Sequence, residues 1–133
     1  MNAIQIYTDG ACKGNPGPGG WGVLLRSPDG SEKELFGGEL GTTNNRMEMT
    51  AAIAAFEYLL EKKLNNLEFL VYTDSNYLIK GITEWIFGWQ KKNWKTAGGD
   101  SVLNKDLWEK LFALTNLYFR RKFSNQIQHH FVW

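Results

Sequence analysis

The chain has 133 residues, of which 43% are hydrophobic, and this length and composition suit a single domain over 1–133 with a modest core. Its formal net charge is only +1 at pH 7, which excludes a chain that is basic throughout, so any nucleic-acid surface must be a local patch. The one cysteine, Cys12, excludes an internal disulfide and a zinc site built from several cysteines. Without a secretory-leader pattern or an apolar run of membrane-spanning length, the sequence predicts a cytoplasmic protein with no membrane partner.

Three strands are predicted at the beginning of the chain. Residues 3–9 alternate apolar and polar side chains, which is the period of a half-buried strand. Residues 20–27 and 32–40 also have strand character, and the turn-forming segment SPDGS separates them. These segments predict an antiparallel meander.

Helical periodicity follows the meander. Residues 46–64 carry apolar side chains at the spacing of one buried helix face, and residues 67–73 form an apolar strand. A strand reached through a helix after a meander indicates a mixed α/β sheet, with helices packed on its faces. The remaining predicted elements are short helices over 75–82 and 83–94, a helix over 104–119 and a final strand over 126–133.

A glycine-rich loop follows the first strand, at a position where such loops often hold phosphates. Gly17, Gly19 and Gly22 have the spacing G-x-G-x-x-G. In a dinucleotide site these glycines open a helix, whereas here they lead into the predicted strand GVLLR. We therefore expect a stiff connection whose backbone can approach a ligand closely, rather than a phosphate-binding helix start.

Two similar segments each place an aspartate after an apolar strand. YTDG contains Asp9 and YTDS contains Asp74. If the two strands are parallel neighbours, both carboxylates lie at the sheet edge where α/β proteins bind ligands. A third acid, Glu48, falls in the first turn of the long helix, beside small residues that allow close packing on the sheet. Carboxylates this close must share a proton or a cation, and hard divalent cations prefer carboxylate oxygens.

Each of these acids also has an ordinary structural explanation. Asp9 precedes a glycine, as turn aspartates do, and Asp74 precedes a short helix that it would cap. Asn45 and Glu48 have the spacing of a capping box. The convergence of three acids from three elements, without an evident basic partner, nevertheless favours a carboxylate metal site.

Four stretches together resemble type 1 ribonuclease H: YTDGACKGNPGPGGWG, TTNNRMEMTAA, YTDSNYLIKGITEWI, and KNWKT followed by NKDLW. They occur in that family's order and near its spacing, over about residues 3–132. The resemblance implies a ribonuclease H-like α/β fold, with a mixed five-stranded sheet and helices on both faces. It also implies an endonuclease that hydrolyses the RNA strand of RNA–DNA hybrids and leaves 5′-phosphate and 3′-hydroxyl ends. Asp9, Glu48 and Asp74 match three of the four carboxylates that hold two Mg²⁺ ions in the family, for which Mn²⁺ can substitute.

The resemblance also implies a set of contacts to the hybrid. The segment EWIFGWQKKNWK interleaves tryptophans with lysines and matches the family's basic protrusion, which holds the DNA strand. Thr43 corresponds to a contact with a DNA phosphate, and four asparagines correspond to contacts in the minor groove of the hybrid: Asn15, Asn44, Asn45 and Asn76. The alternative is that the tryptophans belong to the core and the lysines to a solvated face. The expected substrate-binding residues are Cys12, Gly14, Asn15, Thr43, Asn44, Asn45, Asn76, Trp85, Trp89, Lys91 and Lys92.

The sequence departs from the family pattern at its C-terminal end. The family continues with a loop that carries a histidine and a helix that bears the fourth carboxylate, whereas this sequence has no acid after Glu109 and ends at Trp133. A natural truncation, a shifted reading frame and an incomplete record all remain open. We expect a monomer that lacks the C-terminal helix, with association through the uncovered surface as an alternative, and impaired cleavage. The alternative functions are a hybrid-binding module without cleavage and a resolvase-like nuclease of the same fold.

Overall fold

The computed structural model describes residues 3–64 and 68–118. None of the helices in these ranges is both long enough and apolar enough to span a bilayer. The strand predicted over 126–133, and with it the fifth strand of the sheet, lies outside the described residues. The elements are β1 (Ile4–Cys12), β2 (Gly17–Arg26), β3 (Glu32–Thr42), α1 (Asn44–Glu61), β4 (Phe69–Tyr72), α2 (Asn76–Lys80), a π-helical turn (Gly81–Trp85), α3 (Ile86–Lys91) and α4 (Lys105–Tyr118).

The four described strands form one mixed sheet in the order β3-β2-β1-β4. β2 is antiparallel to both β1 and β3, and β4 is parallel to β1. The β2–β3 hairpin turns where the Ser31 amide donates to the Asp29 carboxylate at 2.9 Å and Gly30 adopts a φ of 90°. Parallel pairing of β1 with β4 needs a crossover, which α1 supplies. The predicted mixed sheet with helices is therefore confirmed.

α1 packs over the sheet and contributes much of the core. Ile4 and Ile6, which alternate along β1, are buried, as are three alanines of the helix, Ala51, Ala52 and Ala55. Small buried side chains let a helix lie close to its neighbours, because no long side chain has to fit between them. This close packing brings Met47 and Glu48 of α1 against Gly10 of β1.

α1 begins two residues earlier than predicted, at Asn44. The Thr43 hydroxyl accepts a hydrogen bond from the Arg46 amide at 3.2 Å, so Thr43 is the cap. The capping-box explanation, which paired Asn45 with Glu48, is therefore wrong.

α1 ends at Glu61, although its apolar periodicity predicted a helix as far as residue 64. Lys63 adopts a left-handed φ of 58°. The Leu64 amide then donates back to the Leu59 carbonyl at 2.7 Å. This arrangement closes a helix and returns the next apolar side chain to the core, so Leu64 keeps the apolar pattern without being helical.

The segment predicted as two short helices is one continuous helical run from residue 76 to residue 91. Gly81 at the junction keeps right-handed helical angles, with φ −61° and ψ −48°. The ring of Trp108 from α4 occupies the space beside it, where a Cβ would overlap the ring. Gly81 is thus required by packing and not by a turn.

We expect Gly81→Ala to destabilise the fold by about 1–3 kcal/mol, because the added methyl group would push the fully buried Trp108 ring out of place. Gly88→Ala is the matched control, since Gly88 lies in α3 and a methyl group there would meet no described atom within 4 Å beyond its chain neighbours and its own helix backbone. Alanine also favours a helix over glycine by about 0.5–1 kcal/mol. Urea denaturation of both variants measures the difference. Equal stability of the two variants would contradict the packing role of Gly81.

Candidate functional site

Two aspartates lie side by side at the carboxyl ends of the parallel strands. Tyr7 of β1 pairs with Tyr72 of β4, and Asp9 and Asp74 each follow two residues later. Asp9 lies within β1 opposite Gly22 of β2, whereas Asp74 follows the end of β4, and both aspartates are exposed. The parallel arrangement that the repeated YTD segments predicted is confirmed.

Glu48 reaches the two aspartates from the second turn of α1, and not from the first turn as predicted, because the helix begins at Asn44. Its Oε1 accepts a hydrogen bond from the Gly10 amide at 3.2 Å, and its Oε2 accepts a long one from the Thr73 hydroxyl at 3.5 Å. Gly10 has no side chain to hold the helix away. A Cβ there would lie 2.5 Å from both the Glu48 nitrogen and the Met47 carbonyl carbon. The strand therefore accepts the helix at a distance that only glycine permits.

The three carboxylates form one cluster. One oxygen from each of Asp9, Glu48 and Asp74 lies within 4.8 Å of the other two. The ion pairs found in the described part of the chain, Arg26–Glu32 and Arg46–Asp106, do not include these acids. Because Mg²⁺ binds oxygen at about 2.1 Å, its ligands lie at most about 4.2 Å apart, so small side-chain adjustments suffice to hold a cation here.

Glu48 is the buried member of the cluster, with 7% of its surface exposed. Burial first, and then the charges of Asp74 and Asp9, raise the pKa of its carboxyl from 4.5 to about 7, although hydrogen bonds from Gly10 and Thr73 oppose the shift. Near neutral pH this carboxyl therefore holds a proton part of the time. A divalent cation would take the place of that proton and satisfy all three carboxylates at once.

Neither aspartate is needed as a turn or cap residue. Asp9 lies inside a strand, although its Oδ1 accepts a hydrogen bond from the following amide at 2.9 Å. The cap of α2 is Ser75, whose hydroxyl accepts from the Leu78 amide at 3.1 Å, so the capping explanation of Asp74 is wrong. Their positions are thus explained better by the cluster than by local backbone structure.

The loop between β1 and β2 lies beside the start of α1. The Cys12 sulfur donates to the carbonyl oxygens of Gly17 at 3.4 Å and Thr42 at 3.1 Å, so its side chain faces the protein. Gly14 and Asn15 are exposed, and Gly14 adopts a φ of 86°, which favours glycine. The loop can therefore offer backbone groups and the Asn15 amide to a ligand.

The other residues predicted to contact the hybrid lie at the starts of α1 and α2, a few positions in sequence from Glu48 and Asp74. Asn44 is the first residue of α1 and Asn76 the first of α2, and both are exposed. Asn45 is half-buried, and the Thr43 hydroxyl is occupied as the cap of α1. Contact of these residues with a hybrid stays a prediction.

The tryptophans of the predicted protrusion divide into two groups. Trp94 is 8% exposed and packs edge-on against Phe112, with ring centroids 5.9 Å apart, so it belongs to the core. Trp85 and Trp89 are half-buried, and their ring centroids lie 5.6 Å apart. Lys91 and Lys92 are exposed at the end of α3. The basic protrusion therefore has solvated lysines and two accessible indoles, while its third tryptophan is structural.

The sequence patterns did not identify the residues that hold the site in place. Gly10 and Thr73 bind the Glu48 carboxyl, and Arg46 binds the start of α4. One signal was present for Arg46, because a cation in the first turn of a helix opposes the helix dipole and suggests a specific partner. No pattern pointed to Thr73, whose role arises only when β4 and α1 meet.

Comparison with protein families supports the sequence resemblance. The family model described as RNase H matches residues 1–124. A ribonuclease H from Albidiferax ferrireducens is 58% identical over 116 residues, which cover 87% of this chain and 74% of that protein. A ribonuclease HI from Xylella fastidiosa is 58% identical over 115 residues, which cover 86% of this chain and 73% of that protein.

Solved structures show the same fold. The chain resembles LC9-RNase H1, a type 1 RNase H with the type 2 active-site motif, with a TM-score of 0.71 and 31% identity. That match covers 87% of this chain but only 59% of LC9-RNase H1. It also resembles LC11-RNase H1 in complex with an RNA/DNA hybrid, with a TM-score of 0.59 and 27% identity over 97% of this chain and 81% of that one.

The raised pKa of Glu48 predicts a specific pH dependence of stability in metal-free buffer. Between its unfolded pKa near 4.5 and its folded pKa near 7, the folded protein binds more protons than the unfolded chain. The free energy of unfolding should therefore fall as the pH rises through this window. Glu48→Gln keeps an acceptor for Gly10 but cannot titrate. We expect the variant to gain stability relative to the parent, on the order of 2–3 kcal/mol, between pH 4.5 and 8.

Urea denaturation of both proteins with a chelator present measures this difference, since the carboxyls outside the cluster are common to both and cancel. Added Mg²⁺ should reduce the difference at pH 8, because a bound cation stabilises the ionised parent. A stability difference that stays constant with pH would show that Glu48 titrates normally.

Proposed function

Because the chain belongs to the ribonuclease H family, we propose that it hydrolyses the RNA strand of RNA–DNA hybrids. The observation that carries this proposal is the convergence of Asp9, Glu48 and Asp74, from two strands and a helix, with carboxylate oxygens within 4.8 Å. The resemblance to LC11-RNase H1, which was solved with an RNA/DNA hybrid, supports the substrate class. Cleavage would leave 5′-phosphate and 3′-hydroxyl ends.

The donor set fits hard divalent cations, and we propose two Mg²⁺ ions, for which Mn²⁺ can substitute. All three ligands are carboxylates, and one of them is buried without a basic partner among the described residues. Such ions, when bound, supply an activated water and charge stabilisation for phosphodiester hydrolysis. Gly10 and Thr73 fix the direction of the Glu48 carboxyl, and the exposed Asp9 and Asp74 face the solvent from which the substrate arrives.

The protrusion around α3 provides the grip on the DNA strand in this proposal. The exposed Lys91 and Lys92 supply phosphate contacts, which release counterions on binding. The half-buried Trp85 and Trp89 present part of their rings to the surface. An indole face can pack on a deoxyribose, where the 2′-hydroxyl of RNA would intrude. The protein would thereby distinguish the two strands.

A cleavage assay on a hybrid with a labelled RNA strand, across a Mg²⁺ titration, tests the proposal. The expected result is metal-dependent cleavage of the RNA strand with no cleavage of the DNA strand. Binding without cleavage would instead favour a hybrid-binding module. Cleavage of branched DNA in preference to hybrids would favour the resolvase-like alternative.

We expect Asp9→Asn to reduce cleavage by more than about a hundredfold while leaving the dissociation constant for the hybrid within about threefold. The amide is nearly isosteric but removes a charge on which cation binding depends. Steady-state kinetics and a fluorescence binding titration measure the two quantities. Asp29→Asn, at the exposed β2–β3 turn, is the matched control and should leave both unchanged. Parent-level turnover in Asp9→Asn would exclude the proposed metal site.

We expect the double substitution Lys91→Gln and Lys92→Gln to weaken hybrid binding and to flatten its salt dependence. For each phosphate interaction that the substitutions remove, the slope of log K against log salt should fall by about 0.9. The matched control changes Lys33 and Lys62 to Gln. Both are exposed and lie far from the carboxylate cluster, Lys33 at the start of β3 and Lys62 at the end of α1. If both doubly substituted proteins show the same slope, the protrusion is not the DNA-strand site.

A further inference from the structure

Arg46 lies in the first turn of α1, two residues before Glu48, and its side chain is tied to the start of α4. Its two terminal nitrogens bind the Asp106 carboxylate at 3.0 and 2.8 Å. One of them also donates to the Asn104 side-chain oxygen at 3.2 Å. Its backbone is held as well, because its amide binds the Thr43 cap and its carbonyl accepts from the Thr50 hydroxyl at 2.7 Å.

Asn104 passes this connection on to the aromatic base of the protrusion. Its side-chain nitrogen donates to the Tyr77 hydroxyl at 3.1 Å, while its oxygen accepts from Arg46. Its φ of 60° lies in the left-handed region, which asparagine tolerates better than most residues. Its carbonyl accepts from the amides of Leu107 and Trp108, both at 3.0 Å. Asn104 is therefore fixed by its backbone and by both ends of its amide.

Tyr77 joins the network to the indoles of the protrusion. Its hydroxyl also accepts from the Trp108 indole nitrogen at 3.2 Å. Its ring lies 5.2 Å from that of Trp108 and 5.7 Å from that of Trp85, measured between centroids. Trp89 closes the cluster, with centroids 5.7 Å from Trp108 and 5.6 Å from Trp85. A continuous set of contacts thus runs from Arg46, two residues before Glu48, to the two half-buried indoles.

The Arg46–Asp106 ion pair is too exposed to contribute much to the stability of the fold, so its fixed geometry suggests a further role. The Asp106 side chain is 64% exposed and that of Arg46 is 28% exposed. Hydrogen bonding from Arg46 lowers the pKa of the Asp106 carboxyl, so the pair stays charged at neutral pH. Pairs this exposed typically contribute less than about 1 kcal/mol. The bidentate geometry, by contrast, sets direction and distance, which a single point charge would not.

We infer that Arg46 is a positioning residue: through Asn104 and Tyr77 it fixes the indoles of the protrusion relative to the carboxylate cluster, so that a gripped hybrid meets the cluster in one register. The inference rests on the proposed function, because it adds a requirement for the same reaction. Glu48 of the cluster lies on α1, whereas the indoles lie on the π-helical turn and on α3, and this network connects these elements through side chains. A displacement of about 1 Å at a reacting centre can cost up to a hundredfold in rate.

Arg46→Lys is the central test, because lysine keeps the charge but cannot bind Asp106 with two parallel hydrogen bonds and Asn104 at the same time. We expect kcat on a hybrid to fall about tenfold and KM to change less than about threefold, at a temperature well below both thermal midpoints. Arg26→Lys is the matched control, since Arg26 forms the other described ion pair, with Glu32 at 2.8 Å. The control should leave kcat and KM unchanged.

A measurement on the free protein separates this inference from the proposed function. The Trp108 indole N–H donates to Tyr77, so its NMR signal reports on the far end of the network. We expect this signal to shift in Arg46→Lys and not in Arg26→Lys. If the parent protein does not cleave hybrids, the proposed function fails, whereas the indole signal still reports whether Arg46 positions the aromatic cluster.

A double-mutant cycle in kcat with Tyr77→Phe tests whether the effect travels through the network. Hydrogen bonds connect Arg46 to Tyr77 through Asn104. If the two residues acted independently, the effects of their substitutions on kcat would multiply. We expect the double variant to be about as slow as the slower single variant. Multiplicative effects, an unmoved indole signal or an unchanged kcat in Arg46→Lys would each overturn the inference.

Discussion

The close contact between α1, at Met47 and Glu48, and β1, at Gly10, is the constraint on which the site depends. A methyl group at this position would come within 2.5 Å of the helix backbone, so any larger residue must move the helix away. The same contact lets the Gly10 amide donate to Glu48. One missing side chain therefore sets both the position of the helix and the direction of its carboxylate. Asp9 precedes Gly10 directly, so this contact also sets the position of Glu48 relative to Asp9.

The burial of Glu48 in this position is electrostatically unfavourable when its carboxyl is ionised. Glu48 is buried beside two other acids, and the pKa of its carboxyl rises to about 7 as a result. Buried charge without a counterion is unfavourable, and a proton or a cation must relieve it. A site of this kind favours metal binding because the free protein is not at its most stable arrangement. In the proposed function, this loss of stability in the free protein would be offset by affinity for a cation.

The two parts of the proposed substrate surface are built differently. The carboxylate cluster rests on the ends of paired strands, which backbone hydrogen bonds hold in register. The protrusion rests on a helical run whose aromatic side chains pack on Trp108 of α4. The contacts from Arg46 through Asn104 to Tyr77 join these parts. If the protein acts as proposed, the distance between the carboxylate cluster and the protrusion depends on Arg46 of α1, Asn104 before α4 and Tyr77 of α2, and not on the sheet alone.

The sequence by itself determined the mixed sheet, the family and the three clustered acids. The alternation of apolar residues and the repeated YTD segments are local patterns, and parallel neighbouring strands bring equivalent positions together. Only the tertiary structure decided which of several capping candidates was used, where α1 ended, and which tryptophan was buried. Thr43 and Asn45 both suit a helix cap by type, and Trp85, Trp89 and Trp94 share one basic segment. The cap depends on where β3 stops, and the burial of Trp94 depends on how its ring packs edge-on against Phe112. Those contacts join residues far apart in the chain, and no local pattern records them.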